Sequence, residues 1–224
     1  MTVLGAVGAA VVAGAVTGWA AGPILRRCPE PVDSNDKPRT YRALATPRFR
    51  VGVGLVAAAA TFIAWSSVPA PLLPLWLVGA TLGVLIAVVD GALTWVPRRL
   101  SHLSWAATAI SLVGVLLLTG SWTEVAAIAT AAAVVGLTFL LVWRITYPNF
   151  GFADVRFAPV IAAISASTGL TTLVAATLAT TVVAAVHLLI RRARGMSGLQ
   201  PYTPAMLAGP FLIAAAATAT GQAL

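Results

Sequence analysis

Long apolar runs separated by short polar connections dominate the pattern of this chain. They occupy roughly residues 3–25, 51–67, 72–90, 103–119, 124–143, 156–167, 170–190 and 205–223. About 20 apolar residues cross a bilayer as a helix, whereas barrel strands alternate apolar and polar positions. The pattern therefore predicts an all-α, polytopic transmembrane helical bundle of about eight spans. Because several runs are short, and 156–190 also fits one span plus a re-entrant segment, the expected number is six to eight.

The composition supports a membrane protein. The 224 residues are 59% hydrophobic and 9% charged, with a mean hydropathy of +0.95, which excludes an ordinary soluble domain. The net charge of +8 lies in the connections between apolar runs. That distribution is typical of topology signals, so we expect a lipid bilayer and no nucleic acid as the partner. A single cysteine, Cys28, excludes a cysteine-rich metal site, and we expect no metal or other cofactor.

The basic residues predict the orientation. All fourteen fall in alternate connections: Arg26, Arg27, Lys37, Arg39, Arg42, Arg48, Arg50, Arg98, Arg99, Arg144, Arg156, Arg191, Arg192 and Arg194. The positive-inside rule places these connections in the cytoplasm and both termini outside. Residues 1–50 then form an N-terminal membrane anchor with a short basic loop, and 51–224 form the main transmembrane domain. In the anchor, Gly14, Gly18 and Gly22 recur every four residues, which would let another helix approach closely.

Two aspartates are the candidate chemical groups. Asp90 ends the third apolar run and Asp154 precedes the sixth, so both are predicted at the cytoplasmic face. A carboxylate at the edge of a bilayer is costly, and a helix C-terminus disfavours the charge of Asp90. Two carboxyls close together share one proton, so one can take a proton from water while the other donates to a scissile carbonyl. The pair therefore predicts aspartyl hydrolysis.

Other interpretations of these residues remain open. Asp154 can simply cap the N-terminus of the helix that follows it. The two carboxylates can also carry protons or cations through a small transporter or channel, although such groups more often lie near the bilayer midplane. His102, twelve residues beyond Asp90, is a weaker candidate for assisting the pair.

Three stretches of the chain resemble the type IV prepilin peptidases, which are bacterial intramembrane aspartyl proteases of the GxGD type. The family pattern D-x-x-x-x-x-I-P-x-x-L-[ST] is matched by Asp90, Val96, Pro97, Leu100 and Ser101. The pattern G-x-G-D-[VA]-K-[LF] resembles GFADVRF at 151–157, and P-F-G-P-F-L-A-L-G resembles PYTPAMLAG at 201–209. The resemblance covers about residues 72–224.

This resemblance implies an endopeptidase that removes the basic leader from type IV prepilins, of the Flp type or a related one, or from pseudopilins. It implies cleavage at the cytoplasmic face of the bacterial inner membrane and a role in pilus assembly or protein secretion. Asp90 and Asp154 would be catalytic, with Gly151, Ala153, Arg156 and Pro97 as supporting motif residues. The substrate would be held mainly through its apolar helix, with local attraction of its basic leader to Asp33, Asp36 or the pair Asp90 and Asp154. The sequence does not define the oligomeric state.

Two departures from the family pattern change the expectation. Ala153 stands at the second glycine of the pattern, where a Cβ would hinder an unusual backbone conformation or a close approach. The chain could therefore also be a catalytically inactive relative that acts in assembly. The first cytoplasmic loop has only Cys28, whereas bifunctional members carry two cysteine pairs there. The loop thus predicts no zinc site, argues against N-methyltransferase activity and favours a compact, peptidase-only form.

Overall fold

Helices make up nearly all of the computed structural model, which describes residues 2–29, 40–146, 151–196, 198, 200–221 and 224 and contains no strand among them. The helices are α1 (Val3–Arg27), α2 (Tyr41–Leu44), α3 (Pro47–Ser67), α4 (Leu73–Val78), α5 (Val84–Leu93), α6 (Arg98–Thr119), α7 (Trp122–Thr146), α8 (Phe152–Ser167), α9 (Leu170–Ala193) and α10 (Thr203–Ala219). The all-α prediction is confirmed.

Among the residues that the structure describes, six segments are long and apolar enough to cross a membrane. Five are α1, α3, α6, α7 and α9, and the sixth is the continuous stretch Ala70–Leu93, which includes α4 and α5. The protein is thus a multi-pass membrane protein. The two shorter helices, α8 and α10, have 16 and 17 residues. Together these eight elements correspond one to one with the eight predicted runs. Gly169, with φ of +120°, separates α8 from α9, so 156–190 contains two helices.

The helix boundaries differ from the predicted ones at both aspartates. The third run was expected to end at Asp90, yet the helix continues to Leu93, and α8 begins at Phe152 rather than 156. A prediction from apolar runs ends each span at the first charged residue, which is why it stopped the third span at Asp90. A carboxylate that has hydrogen-bond donors nearby does not need to leave the helix. Both aspartates consequently lie inside helices, one turn or less from a helix end.

The third span is irregular where it packs most closely. A 3₁₀ turn at Ala70–Leu72 precedes α4, and a π-helical turn at Gly79–Gly83 separates α4 from α5. A Cβ on Gly79 would lie 2.7 Å from Cδ1 of Ile164 in α8, and one on Gly83 would lie 3.1 Å from Cδ1 of Leu207 in α10. The two glycines thus let α8 and α10 approach the span that carries Asp90.

The last helix, α10, contacts both of the helices that carry the aspartates, α5 and α8. It packs against α9, α8, α5 and α3. At Gly209 a Cβ would collide with the carbonyl oxygen of Ala176 in α9, so the two helices touch through their backbones. On another side of α10 the ring of Phe211 meets Trp76 edge-on, with ring centroids 5.3 Å apart. These contacts fix where the N-terminus of α10 lies.

The N-terminal anchor packs on α3 through the predicted glycines. A Cβ on Gly14 would lie 2.6 Å from the carbonyl oxygen of Gly54, and one on Gly18 would lie 2.7 Å from that of Arg50. The Arg50 Nε in turn donates to the Gly18 carbonyl oxygen at 3.1 Å. The spacing of small residues in α1 therefore marks a real helix–helix contact.

Basic residues of different helices meet at one end of the bundle. Arg99 at the start of α6 donates through Nη1 to the carbonyl oxygen of Arg27 at the end of α1, at 3.3 Å. Asp33 and Asp36, proposed from the sequence to attract a leader, and Lys37 and Arg39 of the same loop lie outside the described residues.

Candidate active site: a buried carboxylate pair bridged by Thr203

The two aspartates come from different helices and are both buried. Asp90 in α5 is 4% exposed and Asp154 in α8 is 6% exposed. Burial of a carboxylate is expensive unless hydrogen bonds compensate it. Each of the two carboxylates therefore needs hydrogen-bond donors that face it.

Thr203, the first residue of α10, supplies a donor to each carboxylate. Its backbone N–H donates to Oδ2 of Asp90 at 3.2 Å, and its hydroxyl donates to Oδ1 of Asp154 at 3.0 Å. The side chain of Thr203 is completely buried. Because one residue contacts both groups, the carboxylates of α5 and α8 face the same point at the start of α10.

Helix geometry explains why a carboxylate is tolerated at each position. The first N–H groups of a helix have no partner inside it, and the N–H of Thr203 is one of these in α10. Asp90 therefore satisfies a donor that needs an acceptor, and it lies beside the positive end of the α10 dipole. Asp154 lies in the first turn of its own helix, where a negative charge is also favoured.

The chain leaves α5 in an unusual conformation directly after the site. Thr94 has φ of +58°, which is uncommon for a residue with a Cβ, and its N–H donates to the carbonyl oxygen of Asp90 at 2.7 Å. The left-handed residue ends α5 one turn after Asp90. Pro97 is buried at the start of α6, where its carbonyl oxygen accepts from the N–H groups of Leu100 and Ser101. The first motif thus redirects the chain around Asp90.

Gly151 and Ala153 have different roles beside Asp154. Gly151 precedes α8, and a Cβ there would lie 3.0 Å from Oδ2 of Asp154, so glycine leaves room for the carboxylate. Its φ of −72° and ψ of 129° are open to any residue. Ala153 is helical, and it is not among the described residues with positive φ. Position 153 therefore requires no glycine conformation in this structure.

Arg156 points to a different set of neighbours from Asp154. Its guanidinium lies 4.7 Å from the ring centroid of Phe152, and its carbonyl oxygen accepts from Nε1 of Trp105 at 2.6 Å. Its Nη1 is buried and has no hydrogen-bond partner among the described residues. The weaker candidate His102 is exposed on α6. Within the described chain no three His, Cys, Asp or Glu side chains come together as metal ligands would.

An apolar groove of about 530 Å³ includes residues that neighbour Asp90 and Thr203 in the chain. It lies between α3, α5 and α10, and Gly91 and Pro204 line one part of it. These two residues directly follow Asp90 and Thr203 in the sequence. The groove therefore starts one residue along the chain from the bridge, and Asp90, Asp154 and Thr203 themselves do not line it.

The sequence singled out both carboxylates but missed Thr203 and the groove. A threonine between Pro201 and Pro204 at the start of an apolar helix is the only local signal for the bridge. No protein-family model matches the chain, and comparison with curated proteins and with solved structures finds no match either.

Proposed function

We propose that the protein is an intramembrane aspartyl endopeptidase that cleaves the basic leader from type IV prepilins or pseudopilins. The observation that carries the proposal is the meeting of Asp90 and Asp154, from two helices, at Thr203. The resemblance of the three sequence motifs supplies the substrate class. The bacterial inner membrane and the cytoplasmic position of the site belong to the proposal as well.

The chemistry follows from two carboxyl groups that share one proton. The ionised carboxylate takes a proton from water, and the water oxygen attacks the scissile carbonyl carbon. The protonated carboxyl donates its proton to the carbonyl oxygen, which gives a neutral tetrahedral intermediate. Collapse of the intermediate breaks the C–N bond, and a carboxyl returns a proton to the leaving amine. Two acid–base groups are sufficient for this sequence of steps.

The position of the pair favours a peptidase over a transporter. Asp90 lies three residues before the end of the 24-residue segment Ala70–Leu93, and Asp154 lies in the first turn of α8. Both are therefore close to helix ends and not to the middle of a span. In a prepilin the scissile bond lies where a basic leader joins an apolar helix. That junction would lie at the edge of the membrane, which is the depth proposed for Asp90 and Asp154.

The apolar groove suits the helical part of such a substrate. It runs from the residues beside the pair along α3, α5 and α10, and its lining is almost entirely apolar. An apolar helix seated in this groove would bring its polar end to Asp90 and Asp154. A lipid acyl chain is the alternative occupant.

The experiment is co-expression with a small protein that has a basic leader, a cleavage-site glycine and an apolar helix. Cleavage is followed by its change in size on a blot. We expect wild type to cleave, and Asp90→Asn and Asp154→Asn to lose cleavage while remaining inserted in the membrane. Glu124→Gln, an equivalent change in the first turn of α7, should cleave normally. Cleavage that survives either Asp→Asn change would refute the peptidase mechanism.

The same assay tests the groove. Ala59 lines it on α3, and Ala59→Trp should reduce cleavage strongly by filling it. Ala129→Trp places the same bulk on an exposed position of α7 and should leave cleavage unchanged. Cleavage by Ala59→Trp that equals that of Ala129→Trp and of wild type would refute the groove as the binding site of the substrate helix.

A further inference from the structure

Thr203 offers the two carboxylates two donors that differ in chemistry, a backbone N–H and a hydroxyl. A backbone N–H can only donate, whereas a hydroxyl both donates and accepts. The N–H of Thr203 donates to Oδ2 of Asp90, whereas the hydroxyl donates to Oδ1 of Asp154 and also acts on the carboxyl of Asp90. The two halves of the pair are therefore held by unequal partners.

We infer that Thr203 is a positioning residue that distributes the shared proton between the two carboxyls. The N–H fixes Oδ2 of Asp90 as an acceptor, so a proton on Asp90 is restricted to its other oxygen. The hydroxyl donates to Asp154 when that group is ionised, and by rotating it accepts when Asp154 carries the proton. Thr203 can thus stay hydrogen-bonded to Asp154 in both protonation states.

Burial makes the two carboxyls sensitive to the loss of the Thr203 hydroxyl. Thr203 is fully buried and both carboxylates are at least 94% buried, so bulk water does not readily replace a missing hydroxyl. The direct contact also bridges helices that are distant in sequence, since Thr203 lies 113 residues from Asp90 and 49 from Asp154. A change in the Thr203 hydroxyl acts on the pair without removing either carboxyl.

Three substitutions separate the hydroxyl from the shape of the side chain. Thr203→Ser keeps the hydroxyl and removes the methyl group. Thr203→Val keeps the shape and removes the hydroxyl. Thr203→Ala removes both. If Thr203 only fills space, Val should behave as wild type and Ser should be impaired; if it acts through the hydroxyl, the order is reversed.

The catalytic readout rests on the proposed peptidase function. With purified enzyme in nanodiscs, we expect Ser to retain at least half of the wild-type kcat. Val should lose about tenfold or more in kcat with little change in KM, the size expected for a hydrogen bond to a charged group. The acid limb of the pH–activity profile should move up by about one pH unit in Val, since a carboxylate without its hydroxyl donor ionises less readily. Val with wild-type kcat and pH profile would overturn the inference.

A second readout does not need a substrate. Infrared difference spectra recorded against pH report the protonated carboxyl band of the pair, assigned by its loss in Asp90→Asn and Asp154→Asn. The midpoint of this band should be the same in wild type and Ser and about one pH unit higher in Val. Failure of wild type to cleave, together with a hydroxyl-dependent midpoint, would refute the peptidase and retain the role of Thr203. An unchanged midpoint in Val would refute that role even in an active enzyme.

Discussion

Gly151→Ala is the sharpest test of the geometry around Asp154. Alanine fits the backbone at this position, because φ of −72° and ψ of 129° are ordinary for any residue. The added Cβ would lie 3.0 Å from Oδ2 of Asp154, whereas ordinary contacts begin near 3.4 Å. The carboxylate must therefore move by the difference, 3.4 − 3.0 = 0.4 Å.

That displacement affects the hydrogen bond between Asp154 and the hydroxyl of Thr203. The hydroxyl of Thr203 donates to Asp154 at 3.0 Å, so a shift of this size directed away from the bridge would lengthen the bond to about 3.4 Å, beyond the usual range for O–H···O bonds. Weakening one hydrogen bond to a carboxylate costs about 1–2 kcal/mol, which corresponds to a loss of about five- to thirtyfold in kcat/KM. The effect is a loss of function, not of fold.

Stability should change only modestly. Gly151 is exposed and its conformation suits alanine, so the substitution gains about 0.4–1 kcal/mol through the unfolded state. This gain offsets part of the loss at the Thr203 hydrogen bond, and the free energy of unfolding should fall by less than about 2 kcal/mol. The assays are cleavage kinetics in nanodiscs and thermal unfolding of the same samples. Gly52→Ala is the matched control, because nothing lies within 4 Å of a Cβ at Gly52 in α3. Wild-type kcat/KM in Gly151→Ala, or an equal loss in Gly52→Ala, would show that the carboxylate is not confined as described.

Three further changes test other parts of the structure. Ala153→Gly should leave cleavage within about twofold and cost about 0.5–1 kcal/mol of stability, since position 153 is helical; a tenfold gain in cleavage would instead show that its Cβ obstructs the site. Gly209→Ala should lower the melting temperature and cleavage together, costing about 1–3 kcal/mol, because α10 must leave α9; Gly114→Ala, where a Cβ meets nothing closer than 3.9 Å, should do neither. Trp105→Phe removes the donor to the Arg156 carbonyl oxygen and should cost about 1 kcal/mol, measured by thermal unfolding.

The helical spans were predictable because burial in lipid demands long continuous apolar runs. Each of the eight predicted runs therefore coincides with a helical segment of the described chain, six of them long and apolar enough to cross a membrane, and most differ only by a few residues at their ends. The prediction was wrong where tertiary contacts allow a charged residue to lie inside an apolar span. Asp90 ended the predicted third span, yet it lies within α5, since Thr203 gives it a donor. The π-helical turn at Gly79–Gly83 has no signature in an apolar run, because it reflects how α8 and α10 approach that span.

The candidate site was predictable only in part for a related reason. Charge is rare in this chain, so the two aspartates stand out, and Gly151 beside Asp154 marks a close approach. Which residue joins them depends on the positions of three helices. Thr203 is an ordinary polar residue at a helix start, and its importance arises from the packing of α10 through Gly83 and Gly209.

The bridge also weighs against treating Asp154 as a simple helix cap. A capping carboxylate occupies the residue before the first turn and accepts from N–H groups of its own helix. Here Gly151 occupies the position before α8, and Asp154 accepts from the hydroxyl of Thr203, which belongs to α10. A cap would also have no reason to share its partner with Asp90 of α5. The shared partner therefore links the two carboxylates into one unit, and two neighbouring carboxyls that can share a proton are what the proposed aspartyl hydrolysis requires.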